Sequence, residues 1–134
     1  MRMLVDIDVP DLGKAIAFYC SALELRFRRM LDEDVAELAG GSSLVYLLKK
    51  DEGSACAVST METRRYARHW TPVHVDFVVD DIAQATKRAI DAGATRESAC
   101  IRWRGSSCVT FSDPFGNGFC LIEFAGETYS DDNT

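Results

Sequence analysis

The sequence is short of positive charge. Fifteen lysines and arginines stand against 21 aspartates and glutamates, which gives a formal net charge of −6 at pH 7. Proteins that bind the nucleic acid backbone in general need a basic footprint. We therefore exclude nucleic acid as the partner and expect a neutral or cationic small molecule instead.

Apolar runs of membrane length are missing as well. The N-terminal apolar run is short, and Asp6 and Asp8 interrupt it, so we expect neither a signal peptide nor a membrane span. The five cysteines are odd in number and include no C-x-x-C pair. Most of them lie in apolar segments, which favours small buried side chains in a reducing compartment over a disulfide framework. We expect a cytoplasmic protein.

What the sequence does contain is regular alternation. Residues 3–9 and 74–81 each alternate like a strand and lead to an aspartate, Asp11 or Asp81, that can cap a helix. A turn is predicted at residues 113–117, where Asp, Pro, Gly and Asn cluster. Further strands are predicted at 25–31, 34–39, 43–48, 99–103, 108–112 and 118–124.

The second half of the chain repeats the first. Residues 4–25 and 74–95, at an offset of 70, share six identities in 22 positions. At an offset of 77, Gly41 matches Gly118 and Leu44 matches Leu121. Each copy is too short to bury its own sheet face, so the sheets must cover one another or those of a partner chain.

We therefore predict an α+β fold with two βαβββ modules in tandem within a single domain spanning residues 1–134. The expected boundaries are about 3–48 for module one, 49–71 for a connection, 72–126 for module two and 127–134 for a flexible tail.

Three motifs carry a family resemblance. They are the run V-x-D-L-x-K-A-x-x-F-Y-x-x-x-L at residues 9–23, H-x-x-x-x-V-x-D at 74–81, and the hairpin FSDPFGNGFCLIE at 111–123. From Met3 to Phe124 the chain resembles the vicinal oxygen chelate superfamily, which includes glyoxalase I, bleomycin resistance proteins and extradiol dioxygenases. The resemblance implies curled mixed sheets that enclose a ligand cavity and, commonly, a homodimer.

The resemblance also implies ligand positions for a metal, a histidine early in an opening strand and a glutamate late in a closing strand. These positions correspond to His74 and Glu123 in module two but to Leu4 and Tyr46 in module one. Catalytic divalent metals generally require three protein ligands. We therefore expect no complete metal site and no cofactor. The alternative is an unusual site for Zn, Ni, Mn or Fe that contains His74, Glu123 and Asp76.

Ligand binding is the function that these residues favour. The expected cavity lining is acidic and aromatic, which suits a cationic or aromatic ligand. Its residues are Asp6, Asp8, Tyr46, His74, Asp76, Trp103 and Glu123. We predict a protein of the glyoxalase/bleomycin resistance type that sequesters a small molecule.

The alternative function is a divergent lyase, isomerase or dioxygenase, either metal-dependent or metal-free. In the metal-free form Glu123 would move a proton and His74 would orient it. A simpler possibility for His74 is a hydrogen bond to Glu123 or Asp76.

Overall fold

Two aspartates each begin a helix, as the sequence predicts. In the computed structural model, which describes residues 1–132, Asp11 accepts a hydrogen bond from the Lys14 amide at 3.0 Å. Asp81 accepts one from the Gln84 amide, also at 3.0 Å. These bonds satisfy amides that lack a partner in the first helical turn. The helices that follow are α1 (Leu12–Leu23) and α2 (Ile82–Ala92). Within the described residues no helix is long and apolar enough to cross a membrane.

The chain divides into two units, residues 1–67 and residues from 68 onward. The strands of the first unit are β1 (Val5–Val9), β2 (Arg26–Asp32), β3 (Val35–Ala39) and β4 (Val45–Lys49). Their order in the sheet is β1-β4-β3-β2, and β1 runs parallel to β4. Val9, Leu38 and Leu47 are fully buried. Alternation along β1 therefore leaves Asp6 and Asp8 on the other face of the sheet.

The second unit has the same βαβββ arrangement with one additional short strand. Its strands are β5 (Val75–Val78), β6 (Thr95–Arg96), β7 (Ile101–Trp103), β8 (Ser106–Ser112) and β9 (Gly118–Phe124). The order is β5-β9-β8-β6, with β7 also pairing with β8, and β5 runs parallel to β9. The α+β class and the tandem modules are thus confirmed. Neither sheet closes on itself within residues 1–132.

The turn predicted before the last strand is built on Asp113. Its Oδ1 atom accepts hydrogen bonds from the amides of Phe115, at 2.8 Å, and Asn117, at 2.9 Å. The side-chain amide of Asn117 donates to Oδ2 at 3.0 Å. An aspartate whose side chain replaces backbone partners in this way holds a tight turn. The turn fixes where β9 begins, at Gly118.

Aromatic packing stabilises the face of the second sheet that lies toward α2. Phe111 and Phe119 stack with ring centroids 5.5 Å apart. The rings of Phe77 and Phe119 are T-shaped to each other, with centroids 5.9 Å apart. Phe111 is fully buried. Complete burial of such a side chain contributes about 1.5–3 kcal/mol. Alternation places the neighbours of these residues, Asp76 and Cys120, on the opposite face.

The pairing of opening and closing strands corrects one part of the predicted repeat. Asp6 lies opposite Tyr46 in the first unit, and Asp76 lies opposite Cys120 in the second. Because 120 − 46 is 74, the closing strands correspond at an offset of 74 and the predicted offset of 77 is wrong. The offset of 77 rests on two identities, one of glycine and one of leucine. The true correspondence of the closing strands is set by how each pairs with its opening strand. An error of three residues exchanges the two faces of a strand.

A substitution at Gly118 tests how the start of β9 is packed. A Cβ atom on Gly118 would lie 2.7 Å from the ring of Trp70. We expect Gly118→Ala to lower the free energy of unfolding by about 1–3 kcal/mol, the usual cost of overpacking, and to change tryptophan emission. Urea denaturation followed by fluorescence measures both effects.

The matched control is Gly126→Ala, because a Cβ atom there has nothing within 4 Å. If the two variants were equally stable and had the same emission, Trp70 would not pack on Gly118.

Candidate functional site

Three polar side chains meet on the face of the second sheet that points away from α2. His74 directly precedes β5, Asp76 lies on β5, and Cys120 lies opposite Asp76 on β9. The Nε2 atom of His74 is 3.1 Å from Oδ1 of Asp76. One ligand atom from each residue, including the sulfur of Cys120, lies within 4.8 Å of the other two. We call these three residues the polar cluster.

The thiol of Cys120 is the buried member of the cluster. Only 7% of Cys120 is exposed, and this burial raises the pKa of its thiol. On the neighbouring strand, burial raises the pKa of Cys108 to about 12. Both side chains are thus protonated thiols at neutral pH, whereas nucleophilic cysteines need the thiolate. The arrangement therefore suits hydrogen bonding better than nucleophilic catalysis.

Trp70 covers one end of the polar cluster. Its ring lies on Gly118, and its centroid is 5.7 Å from that of His74. The guanidinium carbon of Arg68 is 4.3 Å from the Trp70 ring centroid, and Arg68 forms a two-bond ion pair with Glu97. Trp70 is therefore held on both sides, by Gly118 beneath it and by an anchored arginine.

A second set of rings lies farther along the same face. The centroid of Tyr129 is 5.2 Å from that of Trp103 and 4.9 Å from that of Phe124. The pKa of Tyr129 is raised, mainly by burial and further by the charge of Asp76. We call Trp103, Phe124 and Tyr129 the aromatic group. Along β9, the cluster thus lies between Trp70 at Gly118 and the aromatic group at Phe124.

Backbone hydrogen bonds hold the segment that carries Tyr129. The Ser130 amide donates to the Arg104 carbonyl at 2.8 Å, and Arg104 Nη1 donates to the Asp131 carbonyl, also at 2.8 Å. The flexible tail predicted at 127–134 therefore includes residues that contact the β7–β8 turn. Its last two positions, 133 and 134, lie outside the described residues.

The register separates Glu123 from the polar cluster. Glu123 pairs with Ser107 and lies three residues after Cys120 on β9, so the two side chains point to opposite faces. The predicted grouping of Glu123 with His74 on one face is therefore wrong. The metal-free mechanism, in which Glu123 moves a proton and His74 orients it, loses its geometric basis.

In the first unit, partners within the chain already bind most of the predicted polar residues. Asp8 accepts a hydrogen bond from Nε of Arg64 at 2.7 Å, and Tyr46 donates to Oε2 of Glu37 at 2.8 Å. Asp6 is exposed and lies opposite Tyr46. The first unit therefore gives little support to an unpaired acidic lining.

Glu37 was missed by sequence reasoning. It is 1% exposed, and it accepts a hydrogen bond from Nε of Arg29 at 3.0 Å while Nε of Arg28 lies 3.4 Å away. A glutamate inside an apolar strand, beside a strand rich in arginine, is the signal that could have identified it.

The family model of the glyoxalase-like domain matches residues 4–122. The chain belongs to this glyoxalase-like family. The predicted resemblance to the vicinal oxygen chelate superfamily is thereby confirmed. No curated protein sequence matches the chain.

Several solved structures share the fold. The genomically encoded fosfomycin resistance protein FosX from Listeria monocytogenes is 17% identical, with a TM-score of 0.71 and 95% of each chain covered. Lactoylglutathione lyase from Agrobacterium tumefaciens is 22% identical, with a TM-score of 0.62 and 92% of each chain covered. A glyoxalase/bleomycin resistance protein/dioxygenase family enzyme from Burkholderia phytofirmans PsJN is 19% identical, with a TM-score of 0.68 and coverage of 90% of this chain and 96% of that one. At these identities the likeness establishes the fold alone.

The donors of the polar cluster fit the kind of metal that the family resemblance implies. An imidazole nitrogen, a carboxylate oxygen and a thiol sulfur lie together, and such a mixed set is typical of borderline divalent ions. The sequence predicts two ligands, His74 and Glu123, and therefore an incomplete site. With Cys120 in place of Glu123, three donors share one face.

The environment of Glu37 predicts an acid-sensitive step in stability. The hydrogen bond from Arg29, and then that from Tyr46, lowers the pKa of Glu37. Its pKa is thus lower in the folded state than in the unfolded chain, where it is about 4.3. The stabilisation is present above that value and is lost as the pH falls through the folded-state pKa. Glu37→Gln should therefore be less stable than the native protein at pH 7 but lose less stability on acidification.

Thermal unfolding between pH 7 and pH 3 measures this difference. Glu33→Gln, in the exposed turn between β2 and β3, removes the same charge as a control. Identical acid profiles for the two variants would contradict the role assigned to Glu37.

Proposed function

We propose that the chain is a small-molecule-binding protein whose ligand lies on the polar cluster of the second unit. The main support is the position of the cluster, between Trp70 at one end of β9 and the aromatic group at the other. Flat apolar walls with a few convergent polar groups are characteristic of small-molecule sites. The family supports the coarser point, since its solved members include a protein named for fosfomycin resistance and one named as a lactoylglutathione lyase.

The ligand that best fits this face is a planar aromatic molecule with a hydroxyl or amine group. Its ring would lie against Trp103 and Tyr129, and its polar hydrogen would be donated to Asp76. A cationic ligand is less favoured than the sequence predicts, because each tryptophan already has an arginine near its ring. The guanidinium carbon of Arg68 is 4.3 Å from the Trp70 centroid, and that of Arg104 is 5.3 Å from the Trp103 centroid.

Fluorescence titration tests this function. Both tryptophans of the chain border the face, so phenols, aromatic amines and planar polycyclic compounds should quench their emission in a saturable way. Asp76→Asn should weaken binding about 10- to 100-fold, because a hydrogen bond to a charged group is worth about 1.5–3 kcal/mol. The proposal would be refuted if no compound of the panel gave a saturable response.

Glu123→Gln is the matched control for Asp76→Asn. Both variants remove one carboxylate from the second sheet, but Glu123 points to the opposite face. We expect the affinity of Glu123→Gln to equal that of the native protein. A larger loss in Glu123→Gln than in Asp76→Asn would favour the site expected from the sequence, in which Glu123 binds the ligand.

A metal-dependent enzyme is the second candidate function. It is favoured by the three donors His74, Asp76 and Cys120, since three protein ligands leave one position for water or substrate. Elemental analysis of protein purified without chelator tests it. A stoichiometric content of Zn, Ni, Mn or Fe would support an enzyme, and a metal-free protein that binds the aromatic panel would support sequestration.

The predictions of a homodimer and of a cytoplasmic location stay predictions. Light scattering coupled to size exclusion measures the first, and cell fractionation the second.

A further inference from the structure

We infer that Tyr129 determines the size specificity of the ligand site, as a wall that limits how far an aromatic ligand extends along β9. Tyr129 belongs to the final segment, which we define as residues 125–132. The inference rests on the proposed function and deepens it, because it names the residue that selects ligands with few fused rings over ligands with many.

The ring of Tyr129 covers one cross-strand row of the second sheet. Trp103 pairs with Ser106, and Ser106 pairs with Phe124, so the three residues form a row across β7, β8 and β9. Phe124 lies four residues after Cys120 on β9 and therefore shares the face of the polar cluster. Tyr129 lies T-shaped against both rings of the row, with centroids 5.2 Å from Trp103 and 4.9 Å from Phe124.

The final segment is held by the turn between β7 and β8 and belongs to no strand. The amide of Ala125 donates to the Gly105 carbonyl at 2.9 Å, and the amide of Ser130 donates to the Arg104 carbonyl at 2.8 Å. Gly105 has a φ of +73°, and a Cβ atom there would lie 3.4 Å from Oγ of Ser130. The glycine thus allows both the turn and the close approach of the segment, which fixes the position of Tyr129.

The distance along β9 sets the room for a ligand. Asp76 lies opposite Cys120, and Phe124 follows four residues later. Strands rise about 3.3 Å per residue, so the row under Tyr129 is about 13 Å from the polar cluster. A two-ring phenol that donates to Asp76 fits within this length, whereas four fused rings need the space that Tyr129 occupies. Tyr129 is 41% exposed, so part of its ring is available to a ligand.

Two fluorescent phenols of different size test the wall. Naphthol and hydroxypyrene are titrated against the full-length protein, and fluorescence anisotropy of each ligand gives its dissociation constant. The native protein should prefer naphthol. Tyr129→Ala should weaken naphthol binding about threefold to tenfold, because a contact between aromatic rings is lost. It should strengthen hydroxypyrene binding, because the steric barrier is removed.

Two further variants show whether the ring itself is responsible. Tyr129→Phe keeps the ring and should restore the native preference for naphthol. Thr128→Ala changes an exposed neighbour in the same segment and should leave the ratio of the two dissociation constants unchanged. A ratio in Tyr129→Ala equal to that of the native protein would overturn the inference, as would an equal shift in Thr128→Ala.

The same titrations separate the inference from the proposed function. If both phenols bind the native protein and Tyr129→Ala with unchanged affinities, the binding function stands and the wall is refuted. If neither phenol binds the native protein or any variant, the proposed function is refuted and the inference with it.

Discussion

The pairing of β5 with β9 is the constraint on which the candidate site depends. These strands are far apart in sequence, and their parallel register decides which side chains share a face. Asp76 opposite Cys120 sends His74, Asp76 and Cys120 to one side, and it sends the core ring of Phe119 to the other. A shift by one residue would bury the carboxylate against α2 and expose the ring. The hydrophobic core therefore selects the register, and the polar cluster follows from it.

Local signals made most of the fold predictable from sequence. Asp11 and Asp81 cap their helices through bonds to residues three positions on, and Asp113 holds a turn of five residues. Each of these contacts joins residues only a few positions apart in the chain, so the residue types predict it directly from the sequence. Strand alternation was equally predictable, because polar and apolar residues alternate with a period of two within a single segment.

The composition of the site depends on long-range pairing, which was not predictable in the same way. The sequence predicts Glu123 as the partner of His74 because a carboxylate in an apolar strand is conspicuous, but the register of β9 turns it to the other face. The sequence predicts Cys120 as a small apolar residue, and only its position opposite Asp76 gives it a polar role. Glu37 was missed for a similar reason, since Arg29 reaches it from the neighbouring strand. In each case a residue eight or more positions away determines the role of the side chain.

Both units end in a segment that returns a side chain to the polar face of the preceding sheet. After β4, the connection places Arg64 on Asp8. After β9, the final segment places Tyr129 against Trp103 and Phe124. The strands of a duplicated module are constrained by their shared core, but these returning segments are not. The side chains that they supply, a cation in one unit and a ring in the other, both lie outside the paired strands. A duplicated scaffold of this kind can acquire two unrelated surfaces while its sheets remain alike.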